Sequence, residues 1–280
     1  MISLSESYAH CRKVAKERAK NFYYSFVLLD EDRRNAMCAM YAFMRYCDDL
    51  SDEPGANRAA IEGWRRDMES ALAGKPADNA IWPAFLDTVT RYKIPHEYFR
   101  DMIDGVASDL EPRVIRNFEE LYAYCYRVAS VVGLVTVHIF GFRSPEALPL
   151  AEKCGIAFQL TNILRDIKED AALGRVYLPE DELVRFRLSE GDLKSGGRSD
   201  RFAAFMDFQI DRAASYYNQS QPLLELVDPE AKNSLWALIA IYRGLLERIA
   251  ETPTEVLRQR MSLPTSAKLW IVFRAFAGLL

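Results

Sequence analysis

The chain has no excess of positive charge. Its formal net charge is −4 and its pI is near 5.6, and no local Lys/Arg stripe supplies the field that a nucleic-acid backbone requires. Nucleic acid is therefore rejected as a partner. Cysteine is sparse: Cys11, Cys38, Cys47, Cys125 and Cys154 are odd in number and show neither a CxxC pair nor a Cys/His metal spacing. They read as buried thiols of a reducing cytoplasm. The N-terminus Met1-Ile-Ser-Leu-Ser-Glu6 has no basic stretch followed by an apolar run, so no secretory signal is expected. Long apolar runs are lacking too. Val128 to Val137 is the most apolar stretch and is flanked by Arg127 and His138; a spanning helix needs roughly 20 apolar residues. A buried helix is the expectation, with no transmembrane segment. Strand-like alternation, internal repeats and low-complexity tracts are also missing, which argues against a sheet and against a modular array.

What is present is core material. Half of the 280 residues are hydrophobic, 12% are aromatic and 27% are charged, a composition that supports a large folded core. Helical periodicity dominates, so the fold class is all-α, with one domain over 1–280. Asn57 is expected to cap a helix running to Leu72 ahead of Gly74, and Ser144-Pro145-Glu146 to start another with an N-cap, an N1 proline and an early acid. Gly174-Arg-Val-Tyr-Leu-Pro179 breaks the pattern. Ser195-Gly-Gly-Arg-Ser199 marks a polar loop before a helix around Phe202 to Ser220.

The most informative feature is a pair of distant acidic segments, Tyr41 to Asp52 and Gln159 to Asp170. Asp48 and Asp52 share a helix face at i, i+4, while Asn162, Asp166 and Asp170 stack on successive turns. Unpaired, such carboxylates repel; a Mg²⁺ ion bridging them to substrate phosphates removes the conflict, because this ion is held by one or two carboxylates plus phosphate oxygens. Tyr41 and Arg45 lie on the first face, and Arg45 suits a pair of diphosphate oxygens. The competing reading is a solvated helix in which Arg45 pairs with Asp49. On the second helix Gln159 joins the polar stripe, bordered by Phe158, Ile163 and Leu164. It can line a cavity, or it can face water as the polar side of an amphipathic helix. Helices facing one another in a bundle commonly build such metal sites.

Lys20, Arg165, Arg175 and Arg260 can complete an anion clamp, although each alone also reads as a surface residue. The segment from Tyr124 to Gly133 mixes aromatic and small residues that can wall an apolar tunnel or pack helix on helix. A metal–diphosphate mouth over a greasy interior suits an isoprenoid diphosphate. Loss of diphosphate requires neutralisation of the leaving group and exclusion of water from the carbocation.

These residues resemble the squalene/phytoene synthase family, which joins two prenyl diphosphates head to head. The YxxxRxxDDxxD segment of the family is matched by Tyr41, Arg45, Asp48, Asp49 and Asp52, and its NxxRDxxED segment by Asn162, Arg165, Asp166, Glu169 and Asp170. The resemblance implies an isoprenoid-synthase helical fold with a central cavity and a trinuclear Mg²⁺ cluster on Asp48, Asp52, Asn162, Asp166 and Asp170. It implies diphosphate contacts, direct or through positioning, for Tyr41, Arg45, Gln159, Arg165, Tyr242 and Arg260, and places Tyr124 at the border of the reaction centre. One departure is visible: a serine pair found in some members is Ala19 and Asn21 here, which leaves the Asn21 amide as the remaining donor.

Phe22-Tyr-Tyr-Ser-Phe26 and Tyr124 to Gly133 look most like bacterial presqualene diphosphate synthases of hopanoid pathways, with phytoene synthases close behind. Phe26 is expected at the tunnel floor. The expected reaction condenses two farnesyl diphosphates to presqualene diphosphate. Runner-up readings are a phytoene synthase and a dehydrosqualene or squalene synthase; a non-catalytic assembly protein is the alternative of another class. No strand-GxGxxG-helix pattern or other reductase feature is recognised, and NADPH is not expected. The protein is expected in the cytoplasm, with peripheral membrane contact for product release left open.

Overall fold

Helix boundaries follow capping chemistry. The computed structural model describes residues 2–52, 57–110, 114–195 and 199–279; the side chains of Lys20, Asn21, Asp52 and Ser195 lie outside the described residues. Helix α1 (Leu4–Arg18) opens on a capping box: Ser3 Oγ accepts from Glu6 N at 3.2 Å and Glu6 Oε2 accepts from Ser3 N at 2.8 Å, which satisfies two orphan donors reciprocally. After α2 (Lys20–Phe26) and α3 (Glu31–Asp52), α4 (Arg58–Leu72) begins at Asn57, whose Oδ1 accepts from Ala60 N at 2.9 Å, and Gly74 follows its end at φ +80°. Both features match the sequence expectation. Next come α5 (Trp82–Arg91), α6 (His96–Ser108) and α7 (Phe118–Cys125).

A π-helical turn over Tyr126–Ser130 joins α7 to α8 (Val131–Phe140) without a break. Phe118–Phe140 is thus one run of 23 helical residues whose most apolar window has a mean hydropathy of 1.4, enough by length and composition to cross a bilayer. The sequence reading considered only the shorter stretch from Val128. That window is 56% buried inside the protein, where α6 and α9 (Ala147–Ala172) pack on this run. The α9 helix starts later than Ser144-Pro145-Glu146 suggests. Ser144 Oγ accepts from Glu146 N at 3.3 Å, but Ala147 N and Leu148 N bond to Ser144 O and Pro145 O. These i→i+3 bonds make a tight turn ahead of the helix.

The second half contains α10 (Glu180–Arg185), α11 (Glu190–Ser195) and α12 (Asp200–Ser220). Most of the polar Ser195–Ser199 stretch lies outside the described residues, while Ser199 Oγ caps α12 by accepting from Phe202 N at 3.1 Å. Short α13 (Leu223–Leu226), long α14 (Pro229–Glu251), a 3₁₀ turn (Pro253–Leu257) and α15 (Thr265–Phe276) complete the chain. No strand occurs among the described residues; Phe142 and Val227 form an isolated antiparallel bridge. The all-α expectation holds.

Two apolar clusters fill the interior. The first is an aromatic knot in which Phe43 of α3 stacks on Phe85 at 4.6 Å and meets Phe99 edge-on at 5.5 Å. Burying each such ring contributes roughly 1.5–3 kcal/mol. The second joins α9, α12 and α14 through Leu160, Phe205 and Tyr242. Between them α3 and α9 present their polar stripes. All five cysteines are free and buried, as expected for packing thiols.

Candidate active site

Helix α3 buries Met40, Phe43 and Cys47 on one side, and its 3.6-residue period turns Tyr41, Arg45 and Asp48 to another. Those three side chains line a cavity of about 260 Å³ together with Gln159 and Asn162 of α9. The two polar stripes therefore meet across one space, which removes the water-facing reading of Gln159 and Asn162. The other walls are apolar: Phe22 and Phe26 of α2, Met37 and Met44 of α3, and Leu235 and Leu238 of α14. Phe26 is 1% exposed, consistent with a place in the wall.

The π-helical turn shapes the remaining wall. Val128, Ala129, Val132 and Gly133 line the cavity, and the same segment packs tightly on α9. A Cβ at Gly155 would sit 2.5 Å from Ser130 Cα, and one at Gly133 would sit 2.8 Å from Ala151 O. Both sequence readings of this segment, tunnel wall and helix packing, are realised together. A π turn adds one residue to the helical ladder and re-aims the side chains around it, a device frequent at functional sites.

Beyond Asn162 on α9, past the residues that line the cavity, charges are arranged unevenly. Asp166 accepts from Arg165 Nε and Arg260 Nε, both at 2.7 Å, and from the second nitrogen of each guanidinium. Burial alone would raise its pKa, but these hydrogen bonds hold it below the usual carboxylate range. Asp170, one turn on, has the opposite environment. Burial first, then the Asp166, Asp109 and Glu169 charges, push it up to about 7 against the pull of Arg175. Asn162 Oδ1 and Glu169 Oε2 are buried with no hydrogen-bond partner among the described residues. Buried unpartnered oxygens are costly and call for a donor or a cation.

Those oxygens are the hard donors that Mg²⁺ prefers, so the residues present fit a magnesium site. No cluster of three His, Cys, Asp or Glu preformed for a metal occurs among the described residues. A site completed by substrate phosphates needs fewer protein ligands, which reconciles the two observations. Asp52 and the clamp candidates Lys20 and Asn21 carry side chains outside the described residues. Ala19, where some members have serine, is 3% exposed and offers no hydroxyl.

Other candidates fall into place differently. Arg45 pairs with Asp49, and Arg18 reaches the same carboxylate at 3.1 Å; the competing reading of Arg45 is therefore also true, while its Nε has no hydrogen-bond partner among the described residues. Tyr242 is buried beside Asn162 and Arg165, with its pKa pushed up to about 12 chiefly by burial, and its ring stacks on Phe158 at 4.4 Å. Tyr124 does not line the cavity. Its hydroxyl donates to Asp109 Oδ2 at 3.2 Å, and its ring stacks at 4.8 Å on Tyr177, which donates to Asp109 Oδ1 at 3.0 Å. Arg175 and Tyr177 flank Asp170 in a small neighbouring pocket. Asp109 was missed by sequence reasoning, since a lone acid just after a helix carries no pattern. Tyr177 lies inside the quoted Gly174–Pro179 stretch, which was the available signal.

An α-helical bundle with two acidic helices facing one apolar cavity defines the isoprenoid-synthase class of fold. The chain belongs to the squalene/phytoene synthase family, whose profile matches residues 15–267. It is 40% identical over 96% of its length to the 15-cis-phytoene synthase of Synechococcus elongatus, covering 92% of that protein. It is 37% identical to the chloroplastic phytoene synthase 1 of Solanum lycopersicum, over 98% of this chain and 68% of that one. Among solved structures, a dehydrosqualene synthase superposes with a TM-score of 0.91 at 26% identity, covering 99% of this chain and 97% of that one. Squalene synthase HpnC from Alicyclobacillus acidocaldarius gives a TM-score of 0.83 at 26% identity, over 89% and 94% of the two chains.

Proposed function

We propose that the protein condenses two farnesyl diphosphates head to head into presqualene diphosphate, with Mg²⁺ as cofactor and no requirement for NADPH. The observation that carries the prenyl-diphosphate reading is the shared cavity: polar residues of α3 and α9 form part of its lining and apolar side chains the rest. Asp48, Asn162, Asp166 and Asp170 of the described residues, with Asp52, would hold Mg²⁺, three ions by family resemblance. Held there, Mg²⁺ would supply positive charge that neutralises the departing diphosphate.

The chain's own groups do the rest. Arg165 and Arg260 present forked N–H donors beside Asp166, positioned to bind a diphosphate as well as the carboxylate. Arg45, held in line by Asp49, adds a third guanidinium at the cavity wall. Phe22, Phe158 and Val132 exclude water from the allylic cation. Tyr41, half-buried at the wall with its pKa raised mainly by burial, keeps its proton and would offer a neutral phenol to developing positive charge.

The C15 reading rests on the two segments that resemble presqualene diphosphate synthases, since both line this cavity through Phe22, Phe26, Val128 and Gly133. It is also supported by the likeness to squalene synthase HpnC and a dehydrosqualene synthase. A second reading, phytoene synthesis from two C20 diphosphates, is favoured by the 36–40% identity to phytoene synthases. Incubating purified protein with C15 and C20 diphosphates, Mg²⁺ and optional NADPH, followed by product mass analysis, separates them. Presqualene diphosphate with or without NADPH supports the proposal; squalene whenever NADPH is present overturns its stopping point. Phytoene as the sole efficient product establishes the second reading. The buried free thiols suit a reducing compartment such as the cytoplasm.

A further inference from the structure

Among the described residues, exposed large apolar side chains gather on α15. Leu269, Trp270, Phe273 and Phe276 are 54%, 59%, 55% and 82% exposed, and their spacing puts them on one side of the helix. Leu279, just beyond, is 56% exposed. Trp270 and Phe273 stack on each other at 5.5 Å, so these two rings form one plate. Monomeric proteins rarely leave such a contiguous apolar patch in water.

The charge of the sequence segment that carries this plate is one-sided. From Val256 onward the sequence contains Arg258, Arg260, Lys268 and Arg274 and no acidic residue, although the whole chain carries a formal net charge of −4. Lys268 and Arg274 flank the aromatic plate, their heads lying over Tyr24 and Trp236. An exposed Trp/Phe face bordered by basic groups matches an interfacial helix: rings sit at headgroup depth and cations meet anionic lipid.

The position also connects to the cavity. Arg260 holds Asp166, one turn beyond the cavity-lining Asn162 on α9, and α15 begins at Thr265 and packs on α2 and α14. Both of those helices contribute cavity wall, through Phe22 and Phe26 and through Leu235 and Leu238.

We infer that the Leu269–Phe276 face of α15 docks on an anionic lipid bilayer, so that the cavity wall abuts the membrane. A water-insoluble prenyl chain would then pass between bilayer and cavity without crossing bulk water. That benefit rests on the prenyl reading of the cavity, but docking itself is measured without substrate, so the two can fail separately.

The test is flotation of the full chain with vesicles of phosphatidylglycerol and phosphatidylcholine, and with phosphatidylcholine alone. Wild-type protein should float with the anionic vesicles, less at high salt and less with the neutral ones. The double variant Trp270→Ser/Phe273→Ser should bind at least about tenfold more weakly. Its diphosphate release from detergent-dispersed substrate should be unchanged, which confirms its fold. Independently, tryptophan emission should shift to the blue on anionic vesicles, and Trp270→Phe should remove that shift. Failure of the wild type to float, or equal flotation of the double variant, overturns the inference. So does a wild-type dimer that the double variant converts to monomer with vesicle binding unaltered, because the plate would then be covered by a second copy.

Discussion

Arg260 and Asp166 lie 94 positions apart in the sequence and meet through paired N–H···O contacts of 2.7 and 3.3 Å. With Arg165 on the other side, the carboxylate is held ionised and oriented. Asp166→Asn keeps the size but removes the anion, and Asp48→Asn does the same on α3. Each should lower turnover by about 10² or more, with the helical circular dichroism signal intact. Arg260→Ala should cost on the order of tenfold in kcat/KM, since one of several cationic donors is lost. Near-normal rates for both Asp variants at saturating Mg²⁺ would reject the metal assignment.

Asp170 predicts a trade of stability for function. Its folded pKa of about 7 exceeds the reference value of 3.8, so in metal-free protein the folded state binds the proton more tightly than the unfolded state. Folding stability from this group is full below about pH 4 and is lost as pH rises towards 7 and above. Asp170→Asn cannot ionise. The variant should therefore be more stable than wild type in metal-free buffer at pH 8, by about 1 kcal/mol after allowance for solvent screening, and indistinguishable near pH 4, while losing activity. Thermal melts at the two pH values with chelator check this; equal melting temperatures at pH 8 would contradict it.

Much of this arrangement was legible in the sequence because it is local. Spacing along single helices put Asp48 with Arg45 and Asn162 with Asp166, and the Asn57 cap was readable because its partner, Ala60, lies three residues on. The Asp109 bonds to Tyr124 and Tyr177 were not legible, since they span 15 and 68 positions and depend on how α6, α7 and the Gly174–Pro179 turn converge. The late start of α9 reflects a turn that satisfies its bonds at i→i+3, which residue preference alone does not distinguish from a helical first turn.

Gly155 is fixed by contact with the π-helical turn. Any Cβ there would overlap the Ser130 backbone at 2.5 Å, and backbone cannot swing aside as a flexible side chain does. Gly155→Ala should destabilise the fold by about 1–3 kcal/mol and displace Val128 and Ala129 from the cavity wall. Denaturant unfolding measures the first effect; an unchanged midpoint would show that the close approach is dispensable.

Phe26 lines the apolar part of the cavity and is almost fully buried. Phe26→Ala removes the whole phenyl ring, at about 3–5 kcal/mol if the space stays empty, and opens room for a longer prenyl tail. The ratio of C20 to C15 turnover should rise by tenfold or so. An unchanged ratio in a folded variant would remove Phe26 from the length-setting role.

The most direct measurement is the stoichiometry of diphosphate release by the purified protein given farnesyl diphosphate and Mg²⁺. Joining two substrates into a cyclopropyl diphosphate expels one diphosphate and retains the other, so one should appear for every two substrates consumed, unchanged by NADPH and abolished by chelator. No release from either C15 or C20 diphosphate would contradict catalysis altogether. Release that survives chelation would contradict the two-helix magnesium site, and two diphosphates per pair of C15 substrates would contradict the proposed stopping point.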